Sequence, residues 1–252
     1  TNMKNITTIY LILGCFFIQN ALFGQCPASN PIIVNNNGLV GSGSLNWAIN
    51  CANTQPNLNI INFNLPASDL VIMPNASGFI LPLNQSGIII DGQTQPIGTV
   101  VIDGVLTSFQ NGITVNADNC EIHGLHITNF TGGAVNAGAG IVFSNGVNNL
   151  AQGNFLTNNR NGIRADNANQ NFTARMNNIG EDPNGVIGPN IESGIFVLNS
   201  TGNATIEDNL IIDNPIGVDV PGIGAVLITQ NQFVCNDTKG INKGAGVPNI
   251  PT

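Results

Sequence analysis

Short apolar runs alternate with asparagine- and glycine-rich segments along most of the chain. One recurring element is a glycine followed by Ile or Val, and it occurs at Gly112, Gly140, Gly162, Gly194 and Gly217. A second element is an asparagine followed by apolar residues, and it occurs at Asn154, Asn178, Asn209 and, with one substitution, Asn231. The two elements alternate, and each recurs every 22 to 32 residues. That period is typical of proteins built from stacked repeats.

Each repeat contains apolar runs of only a few residues, with no helical pattern between them. Such runs favour short strands, and asparagine and glycine favour the corners because both tolerate positive φ. A single coil cannot bury its apolar side chains alone, so each strand must pair with its equivalent one turn away. We therefore predict an all-β, single-stranded, right-handed parallel β-helix. Asparagines at equivalent corners are expected to form a ladder of hydrogen-bonded amides.

One short helix is predicted before the repeats. Ser44 is a suitable N-cap, and the apolar residues after it are spaced for one buried helical face: Leu45, Ala48, Ile49 and Ala52. A short amphipathic helix in this position is expected to cover the open N-terminal end of the β-helix.

The N-terminus has the features of a secretory signal peptide: a basic start at Lys4, an apolar run over residues 6–18, and small residues at Ala21 and Gly24. We expect cleavage after Gly24, and the alternative is a lipoprotein signal ending at Cys15. No later apolar segment approaches the roughly 20 residues of a membrane helix. The mature protein is thus expected to be exported, with no insertion into the membrane.

The pattern divides the chain into four segments. These are a signal peptide (1–24), an N-terminal cap with the first coils (25–97), the β-helix repeats (98–235) and a tail or truncated continuation (236–252). Two residues precede Met3, and the chain ends without a recognisable cap. We expect it to be part of a longer polypeptide.

The amino-acid composition and the net charge indicate which kinds of partner the chain can bind. Charged residues make up 8% of the chain, whereas asparagine occurs 43 times and glycine 30 times. The net charge of −8 with six Lys and Arg residues argues against nucleic-acid binding, because no basic surface is available to neutralise phosphates. It also disfavours anionic lipid surfaces. Neutral glycans and cations remain open as ligands.

Export permits disulfides. Cys26 and Cys51 lie in the same N-terminal region and are candidates for pairing, whereas Cys120 and Cys235 are expected to be buried thiols. No CxxC spacing indicates a metal site.

Several segments resemble large bacterial surface proteins with a CSLREA-type N-terminal domain. Residues 43–53 read GSLNWAINCAN and residues 60–66 read IINFNLP, similar to the opening "GSLR-AI--AN … TI-F-LP" of that family. Residues 90–96 (IDGQTQP) and 122–127 (IHGLHI) resemble its "IDG-TQPG" and "IRGL-I" segments. The chain departs at Asn46, where the family usually has Arg. The resemblance implies an exported, pectin-lyase-like β-helix and says little about activity.

Some polysaccharide-degrading enzymes are also parallel β-helices, so the chain must be searched for residues that could take part in catalysis. Counting from the Gly-Ile element places Arg164 on the outer face of one sheet, with Asp166 beside it and Asp219 two coils away. Phe196, in the coil between those of Arg164 and Asp219, offers an apolar surface. These residues are candidates for glycan contact or catalysis. The simpler interpretation is a solvated Arg–Asp pair of little energetic value.

The sequence contains few side chains that are arranged to bind a metal ion. A long departure from the repeat, residues 180–193, carries four side chains suited to calcium: Glu181, Asp182, Asn184 and Glu192. Their spacing matches no recognised calcium loop, and ordinary solvated turn residues are the alternative. His123 and His126 are expected to point outward, with only Glu121 as a neighbouring ligand type. We expect no cofactor other than this candidate calcium.

These observations favour a non-catalytic secreted or cell-surface module for adhesion, glycan contact or support as a stalk. We expect the chain to be an exported bacterial protein, secreted or at the cell surface. Its expected partner is an extracellular polysaccharide or a cell-surface glycan. The alternative is a polysaccharide lyase or glycoside hydrolase that uses Arg164, Asp166 and Asp219, so enzymatic activity stays open. A third interpretation is a structural fragment with no function of its own.

Overall fold

The computed structural model describes residues 24–76, 78–108, 110–133, 137–166, 171–198, 203–222 and 225–244. The predicted signal peptide, apart from Gly24, and residues 245–252 of the predicted tail lie outside this set. No helix among the described residues has the length and apolarity needed to cross a membrane.

The strands form three sheets. Sheet 1 contains β1 (Ile32–Val34), β2 (Ile60–Phe63), β4 (Ile89–Asp91), β7 (Glu121–His123), β10 (Leu150–Gln152), β13 (Thr173–Arg175), β16 (Asn203–Glu207) and β19 (Ala225–Thr229). Sheet 2 contains β3 (Val71–Ile72), β5 (Val101–Asp103), β8 (His126–Thr128), β11 (Phe155–Thr157), β14 (Asn178–Ile179), β17 (Leu210–Ile212) and β20 (Gln232–Val234). Sheet 3 contains β6 (Ile113–Val115), β9 (Ala139–Phe143), β12 (Asn161–Ala165), β15 (Ser193–Val197), β18 (Ile216–Val220) and β21 (Lys239–Lys243).

Successive strands of each sheet pair in parallel, and the chain visits the sheets in turn, which confirms the predicted right-handed parallel β-helix. Apolar side chains of equivalent positions stack through the interior. Ile163 is in register with Ile141 and Ile195, and all three are fully buried. Burial of each such side chain contributes roughly 1.5–3 kcal/mol, so the stacked columns form the core of the fold.

The predicted helix is present as α1 (Leu45–Thr54) and packs against β1 and β2 at the N-terminal end of the coil. The Ser44 hydroxyl caps it by accepting a hydrogen bond from the Trp47 backbone N–H. Asn46 donates to the Phe79 carbonyl and accepts from the Leu81 N–H, so this side chain ties the helix to the following segment. A disulfide joins Cys26 to Cys51 of the helix.

The remaining two cysteines differ from each other. Cys120 is buried as predicted, but Cys235 is exposed, so the prediction of a buried thiol was wrong there. Cys235 follows β20 in the last described coil and adopts a left-handed backbone (φ 50°) at the corner. A corner residue in this conformation does not continue the inward alternation of the strand.

Two asparagine ladders run along the corners of the β-helix. The first contains Asn154, Asn177, Asn209 and Asn231, and the second contains Asn159, Asn190, Asn214 and Asn236. Asn178, which the sequence pattern predicts for the first ladder, is instead a strand residue paired with Phe155. The error is one residue in register: Met176 adopts the left-handed corner conformation (φ 55°), and the residue after it turns inward.

The Gly-Ile element has a steric cause. A Cβ on Gly162 would lie 2.6 Å from the Gly194 carbonyl oxygen and 2.8 Å from Cγ2 of Ile179. Gly140, Gly194 and Gly217 show the same close approach to the next glycine of the column. Glycine is therefore required here by the tight packing of successive coils.

Candidate functional site

The structure pairs Arg164 with Asp166 and places Asp219 two coils away. Arg164 lies in the expected column, in register with Phe196, which is in register with Asp219. However, Arg164 is only 4% exposed, and its guanidinium donates to both carboxylate oxygens of Asp166 at 2.6 and 2.7 Å. Asp219 instead accepts from Asn242 at 2.8 Å. Arg164 is thus a buried member of an ion pair and does not present its charge to a ligand.

Two of the calcium candidates in the loop 180–193, Asp182 and Glu192, bind other protein groups. The Asp182 carboxylate accepts hydrogen bonds from the backbone N–H groups of Asn184 and Val186, both at 2.8 Å. Glu192 pairs with Arg160 at 2.8 Å, and this hydrogen bond raises the pKa of the Arg160 guanidinium. In the part of the chain that the structure describes, no three His, Cys, Asp or Glu side chains are grouped so as to hold a metal.

The two histidines lie on different sheets. His123 lies on β7 and its Nε2 is 2.8 Å from Oε2 of Glu121. After Gly124 (φ 62°) the chain turns the corner, and His126 lies on β8 with its Nε2 at 2.8 Å from Oγ1 of Thr157. Their proximity in sequence therefore does not make them a ligand pair.

A cleft on the outer face of sheet 2 brings more polar groups together than any of these predictions. Its volume is about 390 Å³, and we call it the loop cleft because the loop 180–193 contributes one part of its lining while β5, β8 and β11 contribute the rest. Its principal side chains are Asp103, His126, Asn129, Thr157, Asp182 and Ile187. Asp103 is in register with Thr128, which is in register with Thr157.

Backbone hydrogen bonds hold the loop in place. The Asp182 N–H donates to the Val186 carbonyl at 2.9 Å, and the Gly188 N–H donates to the Gly180 carbonyl at 2.8 Å. The Asn158 N–H donates to the Gly188 carbonyl at 2.9 Å, which attaches the loop to the residue after β11. The loop is therefore closed on itself and joined to the sheet that it covers.

The polar groups of the cleft are fixed by further bonds. Oδ1 of Asp103 accepts from Nδ2 of Asn129 at 2.8 Å and from the Val105 N–H at 3.0 Å. The Thr157 hydroxyl, which bonds His126, also donates to the Thr128 hydroxyl at 3.0 Å. Such a connected network orients its members before any ligand arrives.

Charge in the cleft is predominantly negative. Hydrogen bonds from the backbone N–H groups of Val186 and Asn184 lower the pKa of Asp182, so this carboxyl is ionised near neutral pH. Burial lowers the pKa of His126, and the opposing effect of Asp182 and Asp103 is smaller. The imidazole is thus neutral near pH 7, and no Lys or Arg is among the lining residues of this described cleft.

Sequence reasoning missed Asp103, Asn129 and Thr157. They come from three successive coils, and each looks like an ordinary corner or strand-end polar residue. A signal existed in the repeat itself: Asp103, Thr128 and Thr157 each follow an inward Ile or Leu at equivalent positions. Only Asp182 and Asn184 of the predicted calcium candidates line this cleft.

A second groove, of about 310 Å³, lies beside sheet 1 and contains Glu121, Leu150 and Arg175. Glu121 is paired with His123, and Nε of Arg175 donates to Gln152 at 2.8 Å. Its charged groups are thus of both signs and engaged with neighbouring side chains.

The sequence model of the family described as "Periplasmic copper-binding protein (NosD)" matches residues 64–246. The chain belongs to the NosD family. No curated protein matches it. The NosD match covers β3 to β21 and the whole loop cleft, and the NosD family is a β-helix family, in agreement with the observed fold. Its periplasmic description supports an extracytoplasmic location, which agrees with the predicted export.

Proposed function

We propose that this chain is a non-catalytic, extracytoplasmic β-helix module that contacts an extracellular or cell-surface glycan through the loop cleft. The observation that carries the proposal is the cleft itself, in which fixed carboxylate, amide and hydroxyl groups lie beside apolar loop side chains. Val186 is 61% exposed and Ile187 is 43% exposed. Small-molecule sites typically combine an apolar surface with a few precisely placed polar groups.

This combination suits a sugar ring. Carboxylate oxygens accept hydrogen bonds from sugar hydroxyls, and such charge-assisted bonds are stronger than neutral ones. The C–H face of a ring can pack on Val186 and Ile187, which removes apolar area from water. Because the bonds within the network already orient Asp103 and Asp182, little conformational entropy is lost on binding.

The same geometry argues against hydrolysis in this cleft. A general acid acting near neutral pH needs a raised pKa, whereas the pKa of Asp182 is lowered by its backbone hydrogen bonds. His126 and Thr157 resemble a base and a nucleophile, but Thr157 is 1% exposed and its hydroxyl also bonds Thr128. Their bond orients the imidazole ring and leaves no accessible nucleophile.

Copper binding, which the NosD description names, needs nitrogen and sulfur donors that converge. Among the described residues, no three His, Cys, Asp or Glu side chains converge on one point, so the donors do not fit. Cys26 and Cys51 form a disulfide, and burial raises the pKa of the Cys120 thiol, which disfavours the thiolate that copper prefers. His123 and His126 point from different sheets. We therefore place no copper in the proposed function.

The resemblance of residues 43–66 to CSLREA-type proteins supports display at a bacterial surface as the setting for this binding. Those residues lie almost entirely before the part matched by the NosD family. The other segments that resemble CSLREA-type proteins, residues 90–96 and 122–127, lie within the NosD match. The two likenesses therefore overlap, and both are compatible with an exported β-helix.

The test is glycan binding by the chain from residue 25 onward, measured calorimetrically with neutral, acidic and amino-sugar oligosaccharides. Ile187→Ser should weaken binding about tenfold by removing apolar contact. Ile191→Ser is the matched control, because Ile191 is an exposed residue of the same loop that does not line the cleft. Absence of binding to every oligosaccharide, or release of reducing or unsaturated ends, would overturn the proposal.

A further inference from the structure

We propose that the loop cleft selects a cationic sugar, namely a hexosamine unit with a free protonated amine, over neutral or acidic units. This inference rests on the proposed function, because it names the glycan class that the same cleft recognises. It is carried by the charges of the cleft and by which of its hydrogen-bonding groups are already engaged.

The two carboxylates come from different elements and line the same cleft as His126. Asp103 ends β5, and Asp182 lies in the loop that follows β14. Both act electrostatically on His126, and their effect opposes the lowering of its pKa by burial. The neutral imidazole does not compensate their charge, so the cleft carries two uncompensated negative charges near pH 7.

Three hydrogen-bonding groups of the cleft are already engaged within the protein. Nδ2 of Asn129 donates to Asp103, the Thr157 hydroxyl donates to Thr128, and Nε2 of His126 is bonded to Thr157. A ligand carboxylate, as in a uronic acid, is repelled by Asp103 and Asp182. A uronate is therefore disfavoured by charge.

The Asp103 carboxylate can still accept hydrogen bonds from a ligand. Both hydrogen bonds that hold the Asp103 carboxylate end on Oδ1, which leaves Oδ2 for a ligand. An ammonium group carries three donors and no acceptor, so it complements carboxylate oxygens directly. An amine attached to a pyranose ring supplies this cation together with a C–H face for Ile187 and hydroxyls for the remaining acceptors.

The probes are matched oligomers of glucosamine, N-acetylglucosamine and galacturonate, titrated calorimetrically into the chain at slightly acidic pH and low ionic strength. The N-acetylated oligomer has the same ring without the positive charge. We expect the glucosamine oligomer to bind at least about tenfold more tightly than either of the others. Its affinity should also fall as salt is added, because salt screens exposed charges.

Asp103→Asn removes one of the two charges and should weaken glucosamine binding about tenfold, with little effect on the N-acetylated oligomer. Asp237→Asn is the matched control, because it removes one exposed charge far from the cleft, after β20. A thermal melt establishes that both variants are folded. The salt titration needs no variant and therefore tests the charge argument independently.

Each outcome decides between the two proposals. Equal binding of the glucosamine and N-acetylated oligomers, or tightest binding of galacturonate, overturns the cationic preference and leaves glycan binding standing. Glucosamine binding that Asp103→Asn and Asp237→Asn leave equally intact also overturns the preference at this site. Failure of all oligomers to bind overturns the proposed function as well.

Discussion

The side-chain oxygen of Asn177 accepts two hydrogen bonds from Asn154 one coil earlier, from its backbone N–H at 3.0 Å and from its Nδ2 at 3.1 Å. Asn177 in turn donates through Nδ2 to the Ala151 carbonyl at 3.0 Å and to Oδ1 of Asn209 at 2.9 Å. Both Asn154 and Asn177 are fully buried. Each ladder amide thus satisfies polar groups that the tight corner would otherwise leave unpaired inside the protein.

Replacement of Asn177 should be costly. Asn177→Ala leaves the buried N–H and Nδ2 of Asn154 without their acceptor, so we expect the free energy of unfolding to fall by about 2–4 kcal/mol. Urea denaturation measures the change. Asn178→Ala is the control, because Asn178 is a partly exposed strand residue and its loss should cost less than about 0.5 kcal/mol. The reverse order of the two effects would contradict the ladder register.

Packing between coils gives a second prediction. Gly162→Ala places a Cβ against the Gly194 carbonyl and Ile179, and overpacking of this kind costs about 1–3 kcal/mol. Gly133→Ala should be nearly neutral, since a Cβ there has no atom within 4 Å. Thermal unfolding of both variants tests the comparison. An unchanged midpoint for Gly162→Ala would show that the column can widen without penalty.

The ion pair of Arg164 and Asp166 provides a third prediction. Asp166→Asn withdraws a carboxylate from a guanidinium that is shielded from water, so we expect a loss of roughly 2–4 kcal/mol in the free energy of unfolding. Asp219→Asn, which removes a carboxylate of the same sheet face bonded to Asn242, should change stability by less than about 0.5 kcal/mol. Similar losses in both variants would argue that surface charge, and not burial, explains the effect.

Stability should also depend on pH through His126. The folded-state pKa lies below the ordinary value of 6.5 because burial outweighs the attraction of Asp103 and Asp182. The unfolded chain therefore binds the proton more readily, and the stability present above pH 6.5 is lost as the pH falls through the folded pKa. Unfolding free energies measured from about pH 7.5 to about pH 5 should show a shallower decline in His126→Gln than in the parent.

The parent chain, measured over the same pH range, provides the reference for this pH dependence. An equal slope in the parent and in His126→Gln would exclude His126 as the responsible group.

Several features of the fold were accessible from the sequence because they depend on local pattern. The repeated apolar runs predicted the stacked parallel strands, and the spacing of Leu45, Ala48 and Ile49 after Ser44 predicted α1. These signals need only neighbouring residues, since alternation and helical periodicity are set by backbone geometry over a few positions.

Other features depended on contacts between coils. The choice of Asn177 over Asn178 follows from the left-handed corner at Met176, and a shift of one residue reverses which side chain turns inward. The burial of Arg164 and the assembly of Asp103, His126 and Asp182 likewise require several coils and the loop 180–193 to be in place. The sequence by itself determined the repeating coil and its helical cap, because short-range periodicity specifies them. The tertiary structure alone decided which polar side chains meet, because their distances are set by how each coil stacks on the next.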